Sequence, residues 1–229
     1  MLRADSITKT YGRQRVLREI SIEVGSGIRA LIGINGSGKS TFLKIVAGIV
    51  AADSGTVLLN DRDVTRLPPE KRNLGYVPQH PALFQHLTVK ENIGYSMRNG
   101  KGSAAVYEQV VDMLGLASVL TRRPRELSGG FKSRVSLARA LVPEPRVLLM
   151  DEPLSGMDVV LREKILPVFR RVLKQLQVPV LYVTHDPKEA ELMADSYAVI
   201  DNGAVHQVKT SSQAFNLIRA SILQTDDAE

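Results

Sequence analysis

The sequence predicts an α/β fold built on a mainly parallel sheet, with an antiparallel sheet beside it and a helical region inserted in the chain. Three observations carry this expectation. The apolar run Ile28 to Ile32 leads directly into a glycine-rich loop and then a helical pattern. Strands and helices alternate in the second half: strand Val147 to Met150, helix Val159 to Leu176, strand Val180 to Thr184. Between these regions, from about Pro81 to Leu141, the apolar spacing turns helical.

Element by element, Leu2 to Thr8 and Val16 to Val24 alternate apolar with polar positions, as half-buried strands do. Thr41 to Ala47 continues the glycine loop as a helix closed by Gly48. Asp53-Ser54-Gly55 is a turn signal before the strand Thr56 to Leu59. Tyr107, Val110, Val111 and Leu114 recur at helix spacing, and Gly115 ends that segment. Ser133 to Leu141 reads as a second helix, stopped by Pro143 and Pro145. Tyr197 to Ile200 is a strand, and Asp201-Asn202-Gly203 a tight hairpin turn. A short helix is expected after Val208, and Thr225 to Glu229 is expected to fray.

With 229 residues, 44% apolar and 24% charged, the chain has globular composition and can bury a substantial core. No window approaches the roughly 18 consecutive apolar residues of a membrane span. An acid, Asp5, precedes any apolar stretch, so no signal peptide is expected. The absence of cysteine excludes disulfides and thiolate metal sites, and fits a reducing compartment. A net charge of +6 raises nucleic acid or an acidic membrane surface as partners. The basic residues are dispersed in short doublets such as Arg122-Arg123, so nucleic-acid binding is not expected.

The chemistry is concentrated in three segments. Gly33-Ile34-Asn35-Gly36-Ser37-Gly38-Lys39-Ser40 has the pattern of a phosphate loop, and its strand–loop–helix setting separates it from a chance match. Its glycines let backbone amides approach phosphates, Lys39 supplies a cation for the terminal phosphates, and the Ser40 hydroxyl a ligand for Mg²⁺. Asp151 and Glu152 end an apolar strand, where adjacent carboxylates need a reason. Here Asp151 is expected to face the magnesium and Glu152 to orient the attacking water, rather than merely to cap the next helix. Leu127-Ser128-Gly129-Gly130 precedes a helix, which places Ser128 and the glycine amides at a positive helix end.

In this order the segments resemble the ATP-binding cassette family over about residues 2 to 208. Tyr11 matches the aromatic that stacks on adenine in that family. Gln79, in Tyr76-Val77-Pro78-Gln79, matches the glutamine that touches Mg²⁺ and links the site to a membrane partner. Asp158, in Ser155-Gly156-Met157-Asp158, lies in a segment resembling the loop that communicates across the dimer, and His185 matches the histidine that holds the terminal phosphate. Taken singly, Tyr11 reads equally as a turn aromatic, Gln79 as a strand-end polar group, Asp158 as a helix N-cap and His185 as a strand cap. Their joint order favours the functional reading.

The resemblance implies ATP bound by Tyr11, Gly33, Asn35, Gly36, Ser37, Gly38, Lys39, Ser40 and Thr41, and by Ser128, Gly129 and Gly130 of a second subunit. Ser40, Gln79 and Asp151 would hold Mg²⁺, and Glu152, His185, Gln79 and Asp158 would serve hydrolysis. It further implies a phosphate-loop NTPase core with an antiparallel β subdomain over residues 1–85 and 146–208. The helical signature subdomain would span 86–145, and a C-terminal helix and tail 209–229. A homodimer closed by ATP, on the cytoplasmic face of a membrane, would drive transmembrane permease subunits and through them meet a substrate-binding protein. Phe131 and Ser133 depart from the residues the family commonly carries there, which puts the tuning of turnover in question rather than binding.

Leu67-Pro68-Pro69-Glu70-Lys71-Arg72 and Ala82 to Ile93 resemble importer subunits for oxyanions such as molybdate, tungstate or sulfate, and for sugars or polyamines. Phe84 would line the groove that receives a membrane-subunit helix, or else face the core. Sugar-type subunits add a regulatory barrel for which this sequence has no room, so a short oxyanion-type subunit is expected. The alternative is a soluble relative acting on DNA or ribosomes. The sequence has neither the sustained heptads nor the cysteine modules of such relatives.

Overall fold

The computed structural model describes residues 1–226, and side chains as far as residue 220; the last three residues of the expected frayed tail lie outside the described residues. Strands β1 (Leu2–Tyr11) and β2 (Gln14–Val24) form a hairpin, followed by β3 (Ile28–Ile32) and helix α1 (Lys39–Ala47). Next come β4 (Ser54–Leu59), β5 (Arg62–Asp63) and β6 (Gly75–Val77), then helices α2 (Val89–Ile93), α3 (Ala104–Met113) and α4 (Gly129–Leu141). The chain returns through β7 (Leu148–Asp151), α5 (Val159–Leu176), β8 (Val180–Thr184) and α6 (Pro187–Met193). It ends with β9 (Ser196–Asp201), β10 (Ala204–Val208) and α7 (Ser211–Asp226).

Two sheets result, as the sequence predicts: an antiparallel one ordered β2-β1-β4-β5 and a mainly parallel one ordered β10-β9-β3-β8-β7-β6. Only the β9–β10 pair of the second sheet is antiparallel. In the parallel sheet Ile32 pairs with Thr184, and Asp151 with Val183. The carboxyl ends of β3, β7 and β8 therefore lie side by side, and the loops that leave them share one edge. That edge is where open α/β sheets bind ligands.

The boundaries differ from expectation at several points. Helix α1 begins at Lys39 rather than Thr41, and α4 at Gly129 rather than Ser133. Ser54 and Gly55 belong to β4, so only Asp53 of that turn signal precedes the strand. The helical region has no α-helix before Val89, and α7 has 16 residues where a short helix is expected. Helix α6, with 7 residues, is too short to show a period and was not anticipated.

Packing explains why such short elements hold. Nine residues of α1 would be marginal as an isolated helix. Phe42, Leu43 and Val46, however, are fully buried between the two sheets with Leu17, Leu149 and Val183. At about 1.5–3 kcal/mol for each such side chain, this burial outweighs any weakness in propensity. Arg72 locks the C-terminal end of α1. Its guanidinium, 4% exposed, donates to Ile45 O and Val46 O at 2.8 Å and to Leu67 O and Thr65 O at 2.7 Å. A cation at a helix C-terminus satisfies the last carbonyls and complements the dipole. It also ties α1 to the segment that leads into β6.

Candidate functional site

The loop between β3 and α1 is shaped by contacts that leave no room for side chains at two positions. A Cβ on Gly33 would lie 2.5 Å from Ile200 O, and one on Gly38 would lie 2.7 Å from Leu17 Cδ2. Gly38 also sits at φ 101°, where non-glycine residues are strained, and it forms the N-terminal boundary of α1. The amides that follow point out of a helix start. Lys39, 4% exposed, folds back across the loop, donating to Gly33 O at 2.9 Å and Ile34 O at 2.8 Å. Burial pulls its pKa down, and the neighbouring Glu152 carboxylate opposes that shift. Ser37 Oγ is buried with no partner in the protein. Asn35, Gly36, Lys39, Ser40 and Thr41 line a cavity of about 310 Å³, closed on its far side by Gln79 and Glu152.

Both acids at the end of β7, Asp151 within the strand and Glu152 just after it, meet this loop. Asp151 is 3% exposed; its Oδ1 accepts from Ser40 Oγ at 2.9 Å and its Oδ2 from the Tyr76 hydroxyl at 3.0 Å. Burial, and then the Asp151 charge, push the Tyr76 pKa far up, so the phenol stays a donor. Glu152 is buried, with a backbone φ of 44°, and its amide donates a hydrogen bond to Val183 O at 3.0 Å. Its carboxylate is 3.3 Å from Lys39 Nζ and 2.9 Å from His185 Nδ1. Gln79 Nε2 reaches it only at 3.5 Å. Lys39, Ser40, Gln79, Asp151, Glu152 and His185 are thus gathered at one sheet edge from β3, β6, β7 and β8. The oxygen donors Ser40 Oγ and Asp151 suit a small hard cation such as Mg²⁺, and the inward Lys39 with the orphaned Ser37 hydroxyl suits a phosphate.

The ABC transporter family model matches residues 17–155, more than half of the chain. This chain belongs to the ABC transporter family. The molybdate/tungstate import ATP-binding protein WtpC of Archaeoglobus fulgidus is 46% identical to it, over 81% of this chain and 78% of that protein. WtpC of Pyrococcus horikoshii is 41% identical over 94% of this chain and 64% of the relative. The sulfate/thiosulfate import ATP-binding protein CysA of Mycobacterium tuberculosis is 41% identical over 91% of this chain. This chain spans about three fifths of that CysA sequence, 61%.

The remaining family positions lie apart from the cluster. Tyr11, at the end of β1, is exposed, with Lys9 Nζ 5.4 Å from its ring centroid. Ser128 and Gly129 are exposed at the start of α4, and Ser128 makes no side-chain cap bond. Gly130 is buried, where a Cβ would meet Ile165 Cδ1 at 2.8 Å and Leu161 Cδ1 at 3.1 Å. Asp158 caps α5, accepting from Leu161 N at 2.8 Å, so the plain N-cap reading of that residue is realised. Among the described residues no hydrogen bond joins Tyr11, Ser128 or Asp158 to the Glu152 cluster.

The two departures in the signature have structural partners. Phe131 is half-buried against the helical core, and the Arg134 guanidinium lies 4.2 Å from its ring centroid. Arg134 itself turns inward, donating to Leu114 O at 3.0 Å. Ser133 is buried and donates to Pro153 O at 3.2 Å, which ties α4 to the segment just after Glu152. Phe84 faces neither core cluster; its ring lies 4.6 Å from that of Tyr95 and 5.2 Å from the Arg139 guanidinium. Tyr76 and Arg72 are the two residues at or near the site that sequence reasoning missed as individuals. A tyrosine three residues before the site glutamine was the available signal for the first.

Proposed function

We propose that this chain is the ATP-binding and hydrolysing subunit of an importer for an oxyanion of the molybdate, tungstate or sulfate class. The observation that carries the catalytic part is the placement of Glu152 between Lys39 and His185 at the end of β7. The loop amides and Lys39 bind the β- and γ-phosphates, and an entering phosphate competes with Glu152 for Lys39. Glu152, freed from that ion pair, orients the attacking water and accepts its proton, while His185 fixes the carboxylate through Nδ1. Ser40 and Asp151, with Gln79 at the edge, would hold Mg²⁺, which neutralises charge developing on the phosphates. Tyr11 offers an exposed ring face to adenine.

Ser128, Gly129 and Gly130 act on the nucleotide of a second copy. Two features support that reading: the exposure of Ser128 and Gly129 at the start of a helix, and the exposed pair Val159 and Val160 beside residues 155–158. The working unit is then a homodimer of two-lobed chains, with the α2–α4 region as one lobe, at the cytoplasmic face of a membrane. No helix among the described residues is long and apolar enough to cross a membrane, so passage belongs to permease subunits. The import names of the similar proteins favour this over a soluble ATPase acting on DNA or ribosomes. They also favour an oxyanion as cargo.

Glu152→Gln tests the assignment. Hydrolysis is expected to fall about 10²- to 10⁴-fold, while size-exclusion chromatography in ATP and Mg²⁺ shows an accumulated dimer. Lys39→Ala, lacking nucleotide binding, is the control that should stay monomeric. Wild-type hydrolysis by Glu152→Gln would remove Glu152 from the mechanism.

A further inference from the structure

The guanidinium of Arg162, in the first turn of α5, bridges the two loops that flank Glu152. Nη1 donates to Asp186 Oδ2 at 2.8 Å, and Nη2 to Met157 O at 3.3 Å. Met157 belongs to the segment that follows Glu152, and Asp186 is the residue after His185. The ion pair is partly sheltered, with side chains 22% and 30% exposed, so it is less screened than a surface pair. Arg162 Nε is buried with no hydrogen-bond partner in the protein.

Asp186 is itself rigidly held. Its Oδ1 caps α6, accepting from Lys188 N at 2.9 Å and Glu189 N at 3.3 Å, and its amide donates to Thr184 Oγ1 at 3.0 Å. Thr184 in turn donates to the buried Glu189 carboxylate at 2.6 Å. The backbone on both sides of His185 is therefore fixed to β8 and α6. Arg162 is the side chain that carries this fixed point across to residues 155–158.

We infer that Arg162 is a positioning residue, holding His185 and the 155–158 loop in one register so that each movement of that loop is felt at the His185–Glu152 pair. The inference rests on the ATPase reading above and deepens it. If residues 155–158 meet the second subunit, Arg162 is the link by which dimer closure reaches the base. The phosphate loop touches neither end of this link, so its loss should slow turnover without weakening nucleotide binding.

The test is steady-state hydrolysis of MgATP by the purified chain, with binding of a fluorescent ATP analogue measured in parallel. Arg162→Leu is expected to lower kcat about tenfold with KM and analogue affinity within about twofold. Arg162→Lys should recover part of the loss, since it keeps the charge opposite Asp186 but not the second bond. Asp186→Asn retains an N-cap acceptor and removes the ion pair, so it should match Arg162→Leu. The double variant Arg162→Leu/Asp186→Asn should be no slower than the worse single one, because both delete the same link.

An unchanged kcat in Arg162→Leu, multiplying losses in the double variant, or a KM that rises while kcat holds would each overturn the inference. Should Arg162→Leu fail to fold, seen as lost analogue binding, Asp186→Asn decides alone, and wild-type turnover there rejects the link. A wild-type chain that hydrolyses no ATP would overturn the ATPase reading and the inference with it. An active wild type beside fully active variants overturns the inference only.

Discussion

Ser40 Oγ and Asp151 Oδ1 are 2.9 Å apart although 111 residues separate them in sequence. The bond exists because β3 and β7 both flank β8, which brings the loop after β3 to the end of β7. Tyr76, on neighbouring β6, completes the arrangement by donating to the other Asp151 oxygen at 3.0 Å. A buried carboxylate with both oxygens engaged is already aligned for a cation on the Ser40 side.

Tyr76→Phe separates the two halves of this arrangement. Without the phenol, Asp151 Oδ2 is left short of a donor at a 3% exposed site, at a cost of about 1–3 kcal/mol. Thermal unfolding without nucleotide should show that loss. In ATP and Mg²⁺ the proposed hydrated cation supplies a donor to Asp151, so the difference from wild type should narrow. An equal difference under both conditions would place magnesium away from Asp151.

How legible this was follows from which interactions are local. The phosphate loop, the acid pair at the end of β7 and the histidine after β8 stand out because strand, loop and helix are adjacent in sequence. Their meeting was not legible from periodicity, since the order β3-β8-β7 is a property of the whole sheet. The start of α4 was misplaced for a physical reason. Gly129 and Gly130 are poor helix formers, and packing of Gly130 against Leu161 and Ile165 overrides their propensity. Arg72 was hidden in a segment notable only for its resemblance to importers, since nothing local marks a surface-type residue as one that spans four carbonyls.

Phe131→Gln measures what the signature departure contributes. The ring packs on the helical core and faces Arg134, so its replacement should cost about 1–2 kcal/mol of stability, from a cation–π contact and lost apolar contact. Phe131 is not among the residues lining the cavity next to Lys39, so nucleotide affinity should stay within about twofold. Turnover is expected to be preserved or raised. Chemical denaturation together with ATP titration checks this. Loss of ATP binding in a folded variant would mean that the start of α4 depends on Phe131 for its shape.

Glu189 gives the pH dependence of stability a defined sign. Burial raises its pKa above the ordinary carboxylate value; hydrogen bonds from Thr184 and Tyr182 oppose burial without cancelling it. In the unfolded chain the group titrates near an ordinary value, about 4.3. Between that value and the raised folded one, the folded state binds more protons than the unfolded state, so stability falls as pH rises. Below the unfolded value the contribution is fully present. Glu189→Gln lacks this titration and can keep hydrogen bonds to both hydroxyls. The stability of wild type minus that of Glu189→Gln should therefore decline as pH rises from about 4, by about 1.4 kcal/mol for each pH unit of the window, and then level off. Urea unfolding of both proteins from acid to neutral pH measures the difference, and unrelated carboxylates cancel in it. A difference that grows with pH would mean that Glu189 is held as a stabilised anion, and that Arg162 rather than burial governs its charge.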